Sequence, residues 1–292
     1  MKIRLQIPYA PGDLWAATPF LRDFAEARPG DVLYVDTPYP EALLGNPHAR
    51  IAERGARVDL DLRFRFACDR VEDGRRYYGV ADPASSMRRA FYDFFRKETG
   101  IAIPPRTLAP EFYPDDFERR YSPAPTGRPV CVLNAGHKLD IPVKFWGSYR
   151  FGKVVEALQD RVLFVQVGAA RNDVDRHARI PGALDLVGRT TLRDLATLVY
   201  HADFVLTGIS QLHHLAGIRC YKPRHCITVA GAREPRNWAD CYRREGVSWH
   251  WLDAPTCKGK EPGCWHNDCR DCPAMAVITP ERVIKIFEEI LK

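Results

Sequence analysis

Long apolar runs are missing from this chain of 292 residues. None approaches the roughly eighteen residues that a helix needs to cross a bilayer, so no membrane span is expected. The opening, MKIRLQIPYAPGD, has neither the apolar stretch nor the small-residue cleavage site of a secretory signal. A cytoplasmic setting, with thiols kept reduced, is therefore expected. Tracts of one charge are missing too. Net charge is +6, but Lys and Arg are scattered among acids. That pattern suits anionic small molecules, lipids and nucleic acid about equally, and it singles out none of them. Internal repeats and low-complexity tracts are also lacking, so neither a repeat array nor a compositionally biased tail is expected.

What the chain does have is material for two cores. Hydrophobic residues make up 46% and aromatics 11%, which is ordinary for globular domains, and the length is comfortable for two of them. In IRLQIP, Ile3, Leu5 and Ile7 alternate as in a strand. From Leu14 the spacing turns helical through Thr18, Leu21 and Ala25. Pro19 must then lie near the first turn or kink that helix. DVLYVD and part of ARVDLDLRFRF predict two further strands. SMRRAFYDFFRKETG predicts a helix stopping at Gly100. Seven prolines then fall between Pro104 and Pro129. That density rules out long helices and central strands and reads as an interdomain connection, whose aromatics predict packing against something.

After it the alternation restarts. VCVLN, VLFVQVG, DFVLTG and HCITVAG read as strands. Tyr149–Gln159, Thr191–Ala202 and QLHHLAG read as helices. Strands alternating with helices imply parallel, doubly wound sheets. The expectation is an α/β protein with two such domains, 1–128 and 129–292, facing a cleft. Ligands in such folds sit at the carboxyl ends of the strands.

Four of the nine cysteines crowd one segment as Cys257-x6-Cys264-x4-Cys269-x2-Cys272. The spacing fits tetrahedral thiolate coordination, with His266 as a substitute ligand. Disulfides are disfavoured by the reducing setting and the odd number of cysteines. A catalytic dithiol would need only one Cys-x-x-Cys. The segment reads as a structural finger over 257–272, with zinc the first metal and iron the second. It is long, polar and loop-like, so a metal would supply folding energy that it lacks.

Several stretches resemble one family, in order along the chain. GDLWAATPFLRDFAEARPGDVLYVDTPYPEALLGNP is similar to the opening of the heptosyltransferase-like glycosyltransferases of family 9, with its Gly-Asp turn, Thr-Pro-x-Leu helix, strand and Asn-Pro. KFWGSYRFGKVVEAL resembles the family's Lys-x-Trp motif. DLVGRTTLRDLATLVYHADFVLTGISQLHHLAG resembles its Gly-x-Thr-x-Leu helix and donor-site segment. CPAMAVITPERVIKIFEEI resembles its ending. The resemblance implies a GT-B fold with acceptor bound by the first domain and nucleotide-sugar by the second. It also implies inverting transfer without a catalytic metal. Related transferases that modify autotransporter proteins carry a comparable cysteine-bound iron finger, which keeps iron open beside zinc.

From the residues alone, Asp13 reads as a helix N-cap. The resemblance makes it the general base that takes the acceptor hydroxyl proton. Lys144 reads as a solvated lysine; the resemblance puts it on the donor diphosphate, where a fixed cation offsets the charge of the leaving group. Asn134 and Gly136, at the end of a strand, offer backbone to a phosphate, and Gly168 reads as a turn that lets the nucleotide approach. Ser210 and His214 match the donor segment, but Ile209 stands where the family has an acid and Gln211 where it has glycine. His213 and His214 otherwise read as a helix start with one ring buried and one exposed. Adjacent residues on a helix point about 100° apart, so a shared metal is not expected.

The expected activity is inverting sugar transfer from a nucleotide-sugar to an acceptor hydroxyl. The acceptor would be a glycan, a protein serine or a hydroxylated DNA base. The alternative is a non-catalytic binding module with a degenerate donor site, whose cysteine finger contacts protein or nucleic acid.

Overall fold

The computed structural model describes residues 1–8, 10–53, 55–64, 70–72, 75–77, 89–120, 127–139, 141–170, 175–232, 244–254 and 272–292. A first sheet is built from β1 (Lys2–Gln6), β2 (Val32–Asp36), β3 (Arg50–Ile51) and β4 (Leu60–Arg63), all parallel, in the order β3-β2-β1-β4. β5 (Arg70–Glu72) and β6 (Arg75–Tyr77) form a separate antiparallel pair.

β1 leads into α1 (Pro11–Ala27). This helix starts three residues before Leu14, because Pro11 fits the first helical position, where a backbone N–H would have no partner anyway. Pro19 lies inside it rather than in its first turn, and the helix continues to Ala27. The local repair is visible. Pro19 has no N–H for the carbonyl of Trp15, and the Thr18 hydroxyl donates to that carbonyl at 2.8 Å instead. The same hydroxyl accepts from the Glu111 N–H at 2.8 Å, so the Thr-Pro pair also ties the proline-rich segment to α1.

α2 (Arg89–Thr99) ends at Gly100, whose φ of 73° is the left-handed value a helix C-terminus favours. In the proline-rich stretch a single-turn helix, α3 (Asp116–Arg120), forms. The second sheet comprises β7 (Val130–Asn134), β9 (Leu163–Gln166), β11 (Leu184–Asp185), β12 (Phe204–Gly208), β13 (Arg224–Gly231) and β14 (Val247–Asp253). It is parallel throughout, in the order β11-β9-β7-β12-β13-β14. Its helices are α4 (Ser148–Leu158), α5 (Leu192–His201), α6 (Gln211–Leu215), α7 (Pro273–Ala276) and α8 (Pro280–Ile290). Two short strands, β8 (His137–Lys138) and β10 (Asp175–Arg176), pair antiparallel beyond the sheet.

One face of the second sheet packs under α4 and α8, with Trp146, Phe164 and Phe287 buried. The other face does not close a core of its own. Val130, Val165, Leu198 and Val205 belong to one continuous apolar cluster with Leu5, Trp15, Phe20 and Phe112. The proline-rich segment is part of that continuity: Phe112 meets Trp15 and Tyr200 edge-on, at 6.2 and 6.3 Å between centroids.

Candidate functional site

In each sheet the strand order reverses next to its first strand: between β1 and β4, and between β7 and β12. Such reversals open a crevice at the strand ends. α1 leaves the first crevice and α6 leaves the second. Their starts meet: a Cβ added to Gly12 would stand 3.1 Å from His214 Cδ2 and 3.4 Å from the Gln211 Cα. Gly12 thus lies where the starts of α1 and α6 pack tightly, and it puts Asp13 at the junction between the two sheets.

Asp13 is not the N-cap that the sequence suggests. Ala10 holds that position, without a side-chain cap bond, and Asp13 sits in the first turn. Its own N–H donates to the Ala10 carbonyl at 2.9 Å. Only 9% of Asp13 is exposed. Burial pushes the carboxyl from 3.8 up to about 7, although a hydrogen bond from the Ala10 backbone and the charges of Lys144 and Lys138 pull the other way. Both lysines belong to the opposite domain. A first-domain carboxyl titrating near neutrality therefore faces second-domain cations.

Ser210 caps α6. Its oxygen accepts from the Leu212 N–H at 3.2 Å and lies 2.9 Å from the Thr207 hydroxyl. His214 is 5% exposed beside Gly12, and its neighbour His213 is fully buried. The expected exposed member of the pair is absent, because α1 covers one ring while β13 and β14 cover the other. His213 Nδ1 lies 3.1 Å from the Thr228 hydroxyl, with Trp249 and Trp251 packed edge-on around the ring.

Lys144 ends a short 3₁₀ turn, Pro142–Lys144. Its carbonyl crosses the end of β12, 3.2 Å from where a Cβ on Gly208 would stand. Asn134, at the end of β7, donates from Nδ2 to the Val167 carbonyl at 3.2 Å and accepts from the Gly136 N–H at 3.1 Å. Gly136 and Gly168 share a neighbour. A Cβ on either would come within 2.7 and 2.6 Å, respectively, of His177 Nδ1. The notch between the ends of β7 and β9 is filled by the His177 imidazole, which is 6% exposed. Gln166 anchors the chain that follows this ring, donating to the Ala178 carbonyl at 2.7 Å and accepting from the Ile180 N–H at 2.9 Å.

The sequence reading missed Lys138 and His177. A pair of glycines ending adjacent strands was the available signal for an inserted ring, but it does not say which ring. Cys257, Cys264, Cys269 and His266 lie outside the described residues. Cys272 precedes α7, buried at 6% exposure against the core under α4 and α8. Among the described residues, no group of three or more His, Cys, Asp or Glu side chains is placed to hold a metal. Nor is any helix among them long and apolar enough to cross a membrane.

A family model described as glycosyltransferase family 9 (heptosyltransferase) matches residues 81–260. No curated protein matches the chain. Among solved structures, E. coli ADP-heptose LPS heptosyltransferase II aligns over 100% of this chain and 98% of its own, at 17% identity and a TM-score of 0.68. The iron-containing dodecameric heptosyltransferase TibC, in complex with ADP-D-β-D-heptose, aligns over 100% and 76%, at 15% identity and a TM-score of 0.66. TibC comes from enterotoxigenic E. coli H10407. A family 9 glycosyl transferase from Veillonella parvula DSM 2008 aligns over 99% and 97%, at 12% identity and a TM-score of 0.64. At such identities these likenesses speak to the fold, an α/β architecture of GT-B type.

Proposed function

Since the chain belongs to glycosyltransferase family 9, the heptosyltransferase family, we propose that it moves a heptose or hexose, with inversion, from a nucleotide-sugar to an acceptor hydroxyl. The observation that carries the reading is Asp13: a buried carboxyl near neutrality, on one domain, facing Lys144 and Lys138 on the other. In the proposed reaction the acceptor oxygen attacks the anomeric carbon. The bond from that carbon to the diphosphate oxygen breaks, and the acceptor proton passes to the Asp13 carboxylate. A single in-line displacement inverts the carbon. The electron pair leaves on the nucleoside diphosphate, where Lys144 offsets the new charge. The mechanism calls on no metal in the cleft.

ADP-heptose is the first donor to try, because the heptosyltransferase structures of like fold are described with it. The acceptor hydroxyl would come from a glycan, a protein side chain or a hydroxylated DNA base, and an odd number of cysteines, nine, suits the reducing cytoplasm. A screen of nucleotide-sugars by thermal stabilisation tests the reading. A donor at a hundred times its dissociation constant stabilises the fold by about 2.7 kcal/mol. Release of the nucleoside diphosphate should then follow addition of an acceptor. Donor binding without turnover on any acceptor class would favour the second reading, a non-catalytic binding module. What supports that reading is the buried apolar Ile209 beside Gln211, where the family motif has an acid and a glycine.

The cysteine finger is proposed as a structural metal site, with Cys257, Cys264, Cys269 and Cys272 holding zinc, or iron in its place. The seating of Cys272 in a core before α7 suits an anchoring ligand. Metal analysis of untagged protein should find one ion per chain. Cys269→Ser should lower stability and leave donor affinity unchanged in the folded fraction. Metal-free, stable protein would remove the assignment.

A further inference from the structure

Away from the proposed reaction, two histidines meet on the α8 face of the second sheet. In the β13–β14 register His225 stands opposite Ser248, and Ile227 opposite His250. The two histidines are therefore diagonal neighbours on one face, within reach of each other. It is the face that Ile227 and Leu252 bury under α4 and α8. His225 is the second residue of β13, so the pair lies toward the amino-terminal edge of a parallel sheet, away from the edge that carries Lys144 and Asp13. His225 Nδ1 lies 3.2 Å from His250 Nε2. Both rings are half-buried, and Phe204 stacks on His225 with centroids 5.7 Å apart. Neither nitrogen pair nor ring enters the mechanism proposed above.

Without an ion, this separation is one N–H···N hydrogen bond. It is also the separation that a tetrahedral ion imposes on two imidazole ligands: bonds of about 2.0–2.1 Å put their nitrogens about 3.3 Å apart. We propose that His225 and His250 bind a divalent transition-metal ion of the zinc or nickel kind, at a site distinct from the cysteine finger. Imidazole suits both metals. Burial lowers the pKa of both rings, against the opposing charges of Asp203 at His225 and Glu289 at His250, so both are neutral at pH 7, the form that ligates. The ring that donates in the ion-free pair has only to move its proton to its outer nitrogen. Two protein ligands leave positions open on the ion. Asp203 does not fill one, being engaged with the Val130 N–H and Lys222. Glu289, in the last turn of α8, is exposed and pairs with Lys285 at 4.0 Å, so its carboxylate is free to turn toward an ion, and water completes the shell. An ion so held ties the edge strand β14, which leads into the cysteine segment, to β13.

The test titrates untagged full-length protein with zinc chloride, and separately with nickel chloride, by calorimetry at pH 7, counting the ions bound. His225→Asn and His250→Gln each keep an amide near the lost nitrogen and serve as independent variants, checked for folding by their melting temperatures without added metal. Wild type should take up one ion more than either variant, whatever the cysteine finger holds in all three. Added zinc should raise the melting temperature of wild type and raise that of each variant less. Equal counts in wild type and variants would leave the pair as a hydrogen bond alone and overturn the proposal. A loss in only one of two folded variants would mark a lone surface histidine and overturn it as well. Should one variant fail to fold, the count in the other decides. The outcome does not touch the donor-site reading, which rests on residues at the opposite edge of the sheet.

Discussion

Asp13 carries a conflict between folding and function. Its carboxyl titrates at 3.8 when exposed and at about 7 when folded. The folded state therefore binds the proton more tightly, and the associated stability is fully present below pH 4 and lost as pH rises through 7. Full ionisation costs roughly 4 kcal/mol. Asp13→Asn should thus match wild type in melting temperature near pH 4 and exceed it at pH 8. Turnover should fall about a hundredfold or more, with donor affinity little changed. If Asp13 is the base, as proposed, wild-type kcat/KM rises with pH through about 7, since a base must be ionised to take the proton. Equal melting temperatures at pH 8 would show that the carboxyl is not buried at that cost. Lys144 is linked to the same titration: Lys144→Ala should weaken diphosphate binding by roughly 1.5–3 kcal/mol and move the acid limb of the pH profile upward. Asp13 was legible as a site residue only through the likeness of its Gly-Asp pair to the family's opening; the local pattern, a helix start after a strand, made it an N-cap, a position that Ala10 holds. The burial of Asp13 and the placing of Lys144 and Lys138 opposite it were not, because those neighbours come from the far half of the chain.

At the level of elements, the ends of β7 and β9 are locked by a ring rather than left open. Gly136→Ala would push a methyl into His177, at a cost of about 1–3 kcal/mol if the ring cannot move away. His177→Ala alone should also destabilise, by emptying the notch. The double variant should recover part of both losses, giving a coupling of about 1 kcal/mol or more in a double-mutant cycle by denaturant unfolding. Strict additivity would mean that ring and glycine do not share the space. This notch shows where sequence patterns stop. The apolar runs of β7, β9, β12 and β13 announce buried strands, since both faces of the sheet are covered. β8, β10 and β11 have two residues each, too few for any periodicity. β14 lies at the sheet edge, with Ser248 and His250 breaking its apolar run. The helical span of α1 was obscured by Pro19, whose missing donor is compensated by a hydroxyl that no propensity describes.

Across the whole molecule, two sheets do not mean two independent folding units. The composition shift and the restart of strand–helix alternation make the two sheets legible. They cannot reveal that one face of the second sheet and the first domain bury a single continuous cluster. Phe112 is a central pin of that continuity. It is 5% exposed, meets Trp15 of α1 and Tyr200 of α5 edge-on, and carries the Arg193 guanidinium 5.3 Å from its ring centre. Arginines reinforce the same seam. Arg193 donates to the Leu44 carbonyl at 2.7 Å and to the Tyr113 carbonyl at 3.1 Å, and pairs with Glu118. Arg244 donates to the Pro110 carbonyl at 3.1 Å and shares Glu111 with Arg22 of α1. Wild-type protein should therefore melt in one calorimetric transition, with calorimetric and van't Hoff enthalpies in agreement. Phe112→Ala removes a buried aromatic, at a typical cost of 3–5 kcal/mol, and does so at the seam rather than within either sheet. It should split the single transition into two, the second sheet melting later because its α4–α8 face has a separate core. On the proposed function, donor affinity should persist in the variant, since Lys144 lies with the second sheet, while turnover falls because Asp13 is no longer held against it. Two transitions already present in wild type would show that the shared cluster does not couple the domains. A single lowered transition in Phe112→Ala would leave that coupling to the arginines.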